Sequence, residues 1–183
     1  MKAKIFTKAL LFYIYNSFVT NIPVYCIRHF YLKNLLKFKI GEGTAIHMGC
    51  FFTGKNITIG NNTVVNRNCY VDGRSSIQIG DNVSVSPETY ILSLDHDSQS
   101  SKFETINKQT VIGNNVWIGV RAIILPGVVL NEGSIVGAGS IVTRSTEKFD
   151  IVAGNPAKKI NSRNCKIDYT LKYFPLFNTD ELL

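Results

Sequence analysis

Aliphatic residues recur every six positions through the C-terminal half of the chain: Ile112, Ile118, Ile124, Leu130, Val136 and Val142 follow one another without a slip. Four positions after each stands a small or β-branched residue, namely Val116, Ala122, Val128, Ser134, Ser140 and Thr146. An amphipathic helix spaces its apolar residues three or four apart, and a half-buried strand alternates briefly before turning back, so neither accounts for a fixed six. A solenoid does. Each hexapeptide supplies one short strand and one corner, three make a triangular coil of 18 residues, and coils stack as parallel strands roughly 4.8 Å apart. Both columns then point inward, since only aliphatic and small side chains share a narrow interior. Earlier runs repeat the period: Ile40 and Ile46; Ile59, Val65 and Val71; Ile79, Val85 and Ile91. Residues of about 40 to 147 therefore form about five coils of a mainly β domain. Gly113, Gly119, Asn131 and Gly137 follow the aliphatic positions, where corners are expected to require positive φ.

Breaks in register locate what the repeat does not explain. Coil starts at Ile40 and Ile59 differ by 19, Ile59 and Ile79 by 20, and Ile79 and Ile112 by 33. The last step carries 15 residues beyond a coil, a polar excursion over about residues 95–110 (DHDSQSSKFETINKQT). A polar loop leaving a rigid scaffold is a usual site of function. Residues 1–39 lie outside the repeat and predict two short helices, about 4–18 and 23–37, separated near Pro23. The run from Ala9 to Ile27 is uncharged, but Asn16, Ser17, Thr20, Asn21 and Pro23 interrupt it, so the extension either packs on the core or lies in a membrane interface. The domain then spans residues 40–160, and residues 161–183 form a C-terminal tail.

Composition narrows the partners. A formal charge of +7 favours anionic ones, but there is no arginine-rich helix, aromatic RNA-stacking signature or zinc-finger spacing, so no nucleic-acid partner is expected. Cys26, Cys50, Cys69 and Cys165 form no CxxC pair, which reads as structural thiols in a reducing compartment. A γ-carbonic-anhydrase-like zinc site needs three converging histidines, and the chain has only His29, His47 and His96. A purely structural or ice-binding solenoid predicts flat Ser/Thr faces and no long polar excursion.

The stretch IGNNVWIGVRAIILPGVVLNEGSIVGAGSIVTRS, followed by IVAGNPAKKI, resembles the hexapeptide-repeat acetyltransferases, in particular the branch of galactoside, maltose and polysaccharide O-acetyltransferases and xenobiotic acetyltransferases. The resemblance covers about residues 22–160 and implies a left-handed β-helix, a homotrimer with active sites between subunits, and acetyl-CoA as co-substrate with no metal required. The implied activity is transfer of acetyl to a sugar hydroxyl, in a cytoplasmic enzyme of surface-polysaccharide biosynthesis with possible peripheral membrane contact. N-acetylation of an amino sugar, or acetylation of a xenobiotic, is the alternative.

His96, in LSLDHDS at the start of the excursion, stands where that family places its general base. A sugar hydroxyl is far too weak an acid to ionise at neutral pH, and an imidazole, of ordinary pKa about 6.5, can accept its proton and pass it to the CoA sulfur. Asp95 and Asp97 flank His96 as acceptor contacts or as groups that orient the ring. Asn66 and Asp72 match acceptor-side positions. Trp117 matches a tryptophan beside the pantetheine arm, and Gly119, Ala138 and Thr143 match small positions along the CoA groove. Lys158 and Lys159, with Arg144, are candidates for the CoA phosphates. No residue resembles an acylated nucleophile, which favours direct transfer.

Overall fold

The computed structural model describes residues 2–175 and 177. Short parallel strands sort onto three faces from residue 39 onwards. The first face stacks Lys39–Ile40, Ile57–Ile59, Ile77–Ile79, Thr110–Ile112 and Val129–Leu130. The second stacks Ala45–Ile46, Val64–Val65, Ser84–Val85, Trp117–Ile118, Ile135–Val136 and Asp150–Gly154. The third stacks Phe51–Thr53, Tyr70–Asp72, Tyr90–Ile91, Ile123–Ile124 and Ile141–Val142. The chain visits the faces in that order through five full coils, with a sixth strand on the second face; the architecture is the expected left-handed parallel β-helix.

The register follows the aliphatic columns. Ile40 lies opposite Ile59, Ile59 opposite Ile79, Ile79 opposite Ile112, and Ile112 opposite Leu130, so every extra residue is absorbed outside the rungs. Both columns are buried: Ile118, Ile124, Leu130, Ala122, Ser134 and Ser140 are all 0% exposed. The buried Ser134 hydroxyl donates to the Asn131 carbonyl at 2.5 Å, which removes the cost of placing it inside.

The corners correct one expectation. Left-handed φ falls at Asn62 (51°), Asn82 (57°) and Asn115 (59°), which form a column between the first and second faces. Gly113, Gly119 and Gly137 instead lie outside the left-handed region, and a Cβ on Gly119 would come within 2.6 Å of the Ala138 nitrogen. Close approach of the next coil, not φ, selects these glycines.

Both ends are closed. Helix α1 (Lys2–Ser17), a 3-10 turn (Val19–Asn21), helix α2 (Tyr25–Phe30) and a π turn (Tyr31–Leu35) cover the first coil, breaking around Pro23 as expected. Tyr15, Leu32, Leu36 and Phe38 bury themselves beside Phe52, and the buried Arg28 donates to the carbonyls of Ile22 and Ile46. At the other end Asp150–Gly154 pairs antiparallel with Ala157–Ser162 through a turn whose Asn155–Pro156 peptide is cis. The following segment then runs back along the coils as a strap. Arg163 donates to the Asn115 carbonyl, Asn82 brackets Tyr169 and Leu171, and Tyr173 stacks on His47 at 5.3 Å. Residues 176 and 178–183 of the expected tail lie outside the described residues.

Candidate functional site

The excursion is a hairpin. Leu94–His96 pairs antiparallel with Thr105–Asn107, in register Leu94 to Asn107, Asp95 to Ile106 and His96 to Thr105. Its outgoing end follows Tyr90–Ile91 on the third face and its return leads into Thr110–Ile112 on the first, so it leaves the corner between those faces. Thr110, expected to end the loop, is fully buried in the next rung, where its hydroxyl donates to the Leu92 carbonyl at 2.6 Å. Ser93, equally buried, donates to the Asp72 carbonyl at 2.5 Å and accepts from the Ser75 amide at 3.1 Å. These two hydroxyls stitch the stem to the neighbouring coils.

His96 is exposed, and its ring stacks on Phe103 with centroids 4.2 Å apart and planes 8° from parallel. The Phe103 carbonyl lies 3.2 Å from Nδ1. A carbonyl only accepts, so in this bond Nδ1 carries the hydrogen and the neutral ring keeps its lone pair on Nε2. Phe103 adopts φ of 50°, a region that side chains of its kind rarely visit, and the backbone so turned presents the carbonyl to the imidazole.

Neither flanking carboxylate touches the ring. Asp95 accepts from the His96 amide at 2.9 Å and from Lys108 Nζ at 2.8 Å. The Lys108 ammonium, helped by the His96 amide, holds the Asp95 carboxyl below the usual range. Asp97 accepts from the Gln99 amide at 2.9 Å. Both shape the hairpin, and the orienting contact comes from Phe103, which the polar sequence of the excursion gave no signal to single out.

Asp72 lies on the same corner one coil earlier. It is 0% exposed and receives Arg74 Nε and Nη2, each at 2.9 Å, the Arg74 amide at 3.0 Å and Thr53 Oγ1 at 2.9 Å. Burial pushes its pKa up, but these bonds outweigh it and leave the carboxyl below its ordinary value. Asn66 turns its Oδ1 onto the Arg67 amide at a corner between the second and third faces. Along the third face Phe51, Tyr70 and Tyr90 form a ladder, with successive centroids 5.5 and 5.6 Å apart, that ends just before the hairpin.

The remaining candidates spread around the prism. Trp117 is 49% exposed on the second face, its Nε1 donating to Ser86 Oγ at 3.3 Å. Gly119 follows it, Ala138 is exposed at the corner towards the third face, and Thr143 is exposed on the hairpin's corner two coils further on. Arg144, Lys158 and Lys159 line one groove of about 260 Å³ at the C-terminal end. Lys159 forms an ion pair with the buried Asp150 at 2.6 Å, which lowers the Asp150 pKa, so Lys158 and Arg144 are the groups left to meet a phosphate there. The hairpin corner lies opposite the second face, so one chain keeps His96 and Trp117 on opposite sides.

The other histidines belong to the N-terminal end. His29 Nε2 accepts from the Ile46 amide at 3.3 Å, and burial, with Arg28 and Lys33 nearby, pushes its pKa down to about 4. His47 is buried between Tyr25 and Tyr173. No three His, Cys, Asp or Glu side chains converge on a metal-sized site among the described residues.

Comparison with known proteins bears on the fold and the repeat. The family described as bacterial transferase hexapeptide (six repeats) matches residues 109–144. Galactoside O-acetyltransferase of Escherichia coli K12 is 34% identical over 129 residues, which is 68% of this chain and 64% of that protein. The chain spans less than two thirds of the length of the first curated relatives it matches. Among solved structures, a maltose O-acetyltransferase from Clostridium difficile 630 superposes with a TM-score of 0.76 at 28% identity, over 86% of this chain and 84% of the other. A hexapeptide-repeat acetyltransferase from Vibrio cholerae, complexed with acetyl coenzyme A, gives 0.74 at 28% identity over 85% of each chain.

Proposed function

Because the chain belongs to the hexapeptide-repeat acetyltransferase family, we propose that it transfers acetyl from acetyl-CoA to a hydroxyl of a saccharide, with His96 as the general base. The observation that carries this reading is the Phe103 carbonyl at Nδ1, which leaves the Nε2 lone pair facing outward on an exposed hairpin. Nε2 removes the proton from the acceptor hydroxyl as its oxygen bonds to the thioester carbonyl carbon. The tetrahedral intermediate then expels the CoA sulfur, and the imidazolium returns the proton to the thiolate.

The Phe51–Tyr70–Tyr90 ladder supports a saccharide acceptor, because the partly exposed rings give an apolar wall beside which the apolar face of a sugar ring can lie. Arg74, on the corner beneath the hairpin and held by the buried Asp72, is the polar contact for its hydroxyls. Trp117, Gly119, Ala138 and Thr143 line the path of the CoA arm, with Lys158 and Arg144 at its phosphates. Separation of Trp117 from His96 within one chain supports a homotrimer in which each site joins one copy's hairpin to the next copy's second face. The need for acetyl-CoA supports a cytoplasmic enzyme, and the acceptor we propose for it is a surface polysaccharide or its lipid-linked precursor.

The test is acceptor-dependent release of free CoA from acetyl-CoA, screened over nucleotide sugars, oligosaccharides, amino sugars and small antibiotics. Transfer to a saccharide hydroxyl supports the reading. Transfer confined to amines or xenobiotics replaces it, and failure to bind acetyl-CoA removes it.

A further inference from the structure

The charge of the molecule is concentrated at one end. Residues 1–41 contain seven of the twenty basic residues and none of the thirteen acidic ones. The remaining 142 residues carry thirteen of each, so the whole formal charge of +7 resides in the N-terminal cap and its link to the first coil.

That cap also turns apolar side chains outward. The inner side of α1 is committed to the core through the fully buried Tyr15, and Asn16 exchanges two hydrogen bonds with the Phe52 backbone, at 2.9 and 3.0 Å. The opposite side presents Ile5 (62% exposed), Phe6 (69%), Leu10 (42%) and Tyr13 (61%). At 100° per residue these four, with Ala9, form one apolar face about 140° wide. A helix apolar on both sides needs a second apolar partner besides its own core.

On the side of α1 turned away from this face, the helix and the segment at Leu35 and Leu36 enclose a groove of about 470 Å³ floored by Leu11, Phe12 and Leu36. Lys4, Lys8, Lys37 and Lys55 border it, and no carboxylate pairs with any of them among the described residues. These four ammonium groups stand about one helix diameter from the apolar face, close enough in ordinary salt for their charge to favour an anionic partner surface there. A second copy of the chain would bring the same positive charge to the contact. No helix among the described residues is long and apolar enough to cross a membrane, so the partner would be met from one side.

We propose that the outward face of α1 docks this protein on an anionic phospholipid bilayer, with α1 lying in the interface between the lipid and the first coil and the lysines behind it adding electrostatic attraction. The helix needs no polar face of its own, because the protein occupies that side. The hairpin leaves the third coil, two coil spacings or roughly 10 Å along the axis from the first. Docking by α1 therefore holds His96 close to the lipid surface, where a lipid-linked acceptor would present its sugar; this consequence rests on the proposed function, whereas the docking does not.

The full chain is tested by co-sedimentation with vesicles of phosphatidylcholine alone and of equimolar phosphatidylcholine and phosphatidylglycerol. Binding is expected only to the anionic vesicles and to weaken with salt. The Phe6→Glu/Leu10→Glu variant should lose it, and Lys4→Ala/Lys8→Ala should weaken it roughly 5-fold per lysine, the equivalent of about 1 kcal/mol each. The lysine variant keeps the apolar face intact and provides the reading should the glutamates disturb folding. Wild-type protein that stays in the supernatant with both vesicles overturns the proposal, as does unchanged binding by either variant. Light scattering that shows Phe6→Glu/Leu10→Glu breaking a larger oligomer also overturns it, since the face would then belong to a contact between copies.

Discussion

The coils and the hairpin at Leu94–Asn107 follow opposite rules. Within the coils each interior strand has a parallel neighbour above and below, and side chains fill columns whose members are interchangeable in kind: Ile112, Ile118, Ile124, Leu130. The hairpin stands on three residue pairs and an exposed ion pair, and its principal contact joins one particular imidazole to one particular carbonyl. Stability and chemistry are thus carried by different residues, and each can be altered with the other left alone.

The largest expected effect lies in the hairpin. His96→Ala removes the proposed base, and turnover should fall by roughly 100- to 10,000-fold, about 3–5 kcal/mol in the barrier. Acetyl-CoA affinity and thermal midpoint should be unchanged, because the ring is exposed and packs only on Phe103. Steady-state kinetics beside a thermal melt checks both; unchanged turnover removes His96 from the mechanism.

Ile118→Ala makes the opposite change. Ile118 is 0% exposed at the centre of an aliphatic column, between Val85 and Val136 in the neighbouring coils. Truncation leaves a cavity that stacked coils cannot easily collapse around, and the expected loss is about 2–5 kcal/mol in a denaturant titration. Turnover per folded molecule should hold. If it falls as far as in His96→Ala, coil packing and hairpin geometry are coupled and the division is wrong.

A third effect belongs to the histidine of the N-terminal cap. His29 is held neutral, with a pKa pushed down to about 4 by burial and by Arg28 and Lys33, while the Ile46 amide occupies its Nε2 lone pair. The unfolded chain, with an ordinary imidazole near 6.5, takes up the proton first as pH falls. The stabilising difference is therefore complete above about pH 6.5, declines between 6.5 and 4, and declines no further below 4. The slope should be about 1 kcal/mol per pH unit at most, since the ring is not fully enclosed. In His29→Gln, where a side-chain oxygen can still accept from Ile46, denaturation midpoints should lose that slope. A slope that persists between pH 6.5 and 4 would assign it to a group other than His29; Asp72 and Asp150, both held below the ordinary carboxylate value, lose their contribution only at lower pH.

The sequence exposed these regions unequally, for physical reasons. A rung needs little more than an aliphatic residue at the right interval, so the columns and the register steps of 19, 20 and 33 residues could be read directly and recur as strand pairings. The place of His96 followed from the same register. The hairpin's internal pairing did not, because DHDSQSS contains neither alternation nor a glycine turn, and Phe103 enters the left-handed region without sequence warning. Nor did the return path of residues 163–175, whose contacts with Asn115, Asn82 and His47 join positions far apart in the chain and follow no period. The glycines after each rung were recognised for the wrong reason, since close backbone approach and positive φ leave the same residue type behind.

The smallest effect is the most specific to the hairpin. Phe103 holds His96 by two means: a carbonyl that fixes Nδ1 and a ring stacked 4.2 Å away. Phe103→Ala removes only the second. Stacks of this kind contribute about 0.5–1.5 kcal/mol, so turnover should fall roughly 2- to 13-fold. Acetyl-CoA affinity should stay constant, and so should the thermal midpoint, because Phe103 is 63% exposed and supports nothing in the coils. Phe103→Gly provides a control, since glycine enters the left-handed region freely and keeps the carbonyl available while loosening the backbone that aims it. A further loss in the glycine variant would show that rigidity at φ of 50° contributes beyond the stack. Equal turnover in wild type and both variants would mean that the imidazole is aimed by something outside this chain, and the neighbouring copy in the assembly would be the first place to look.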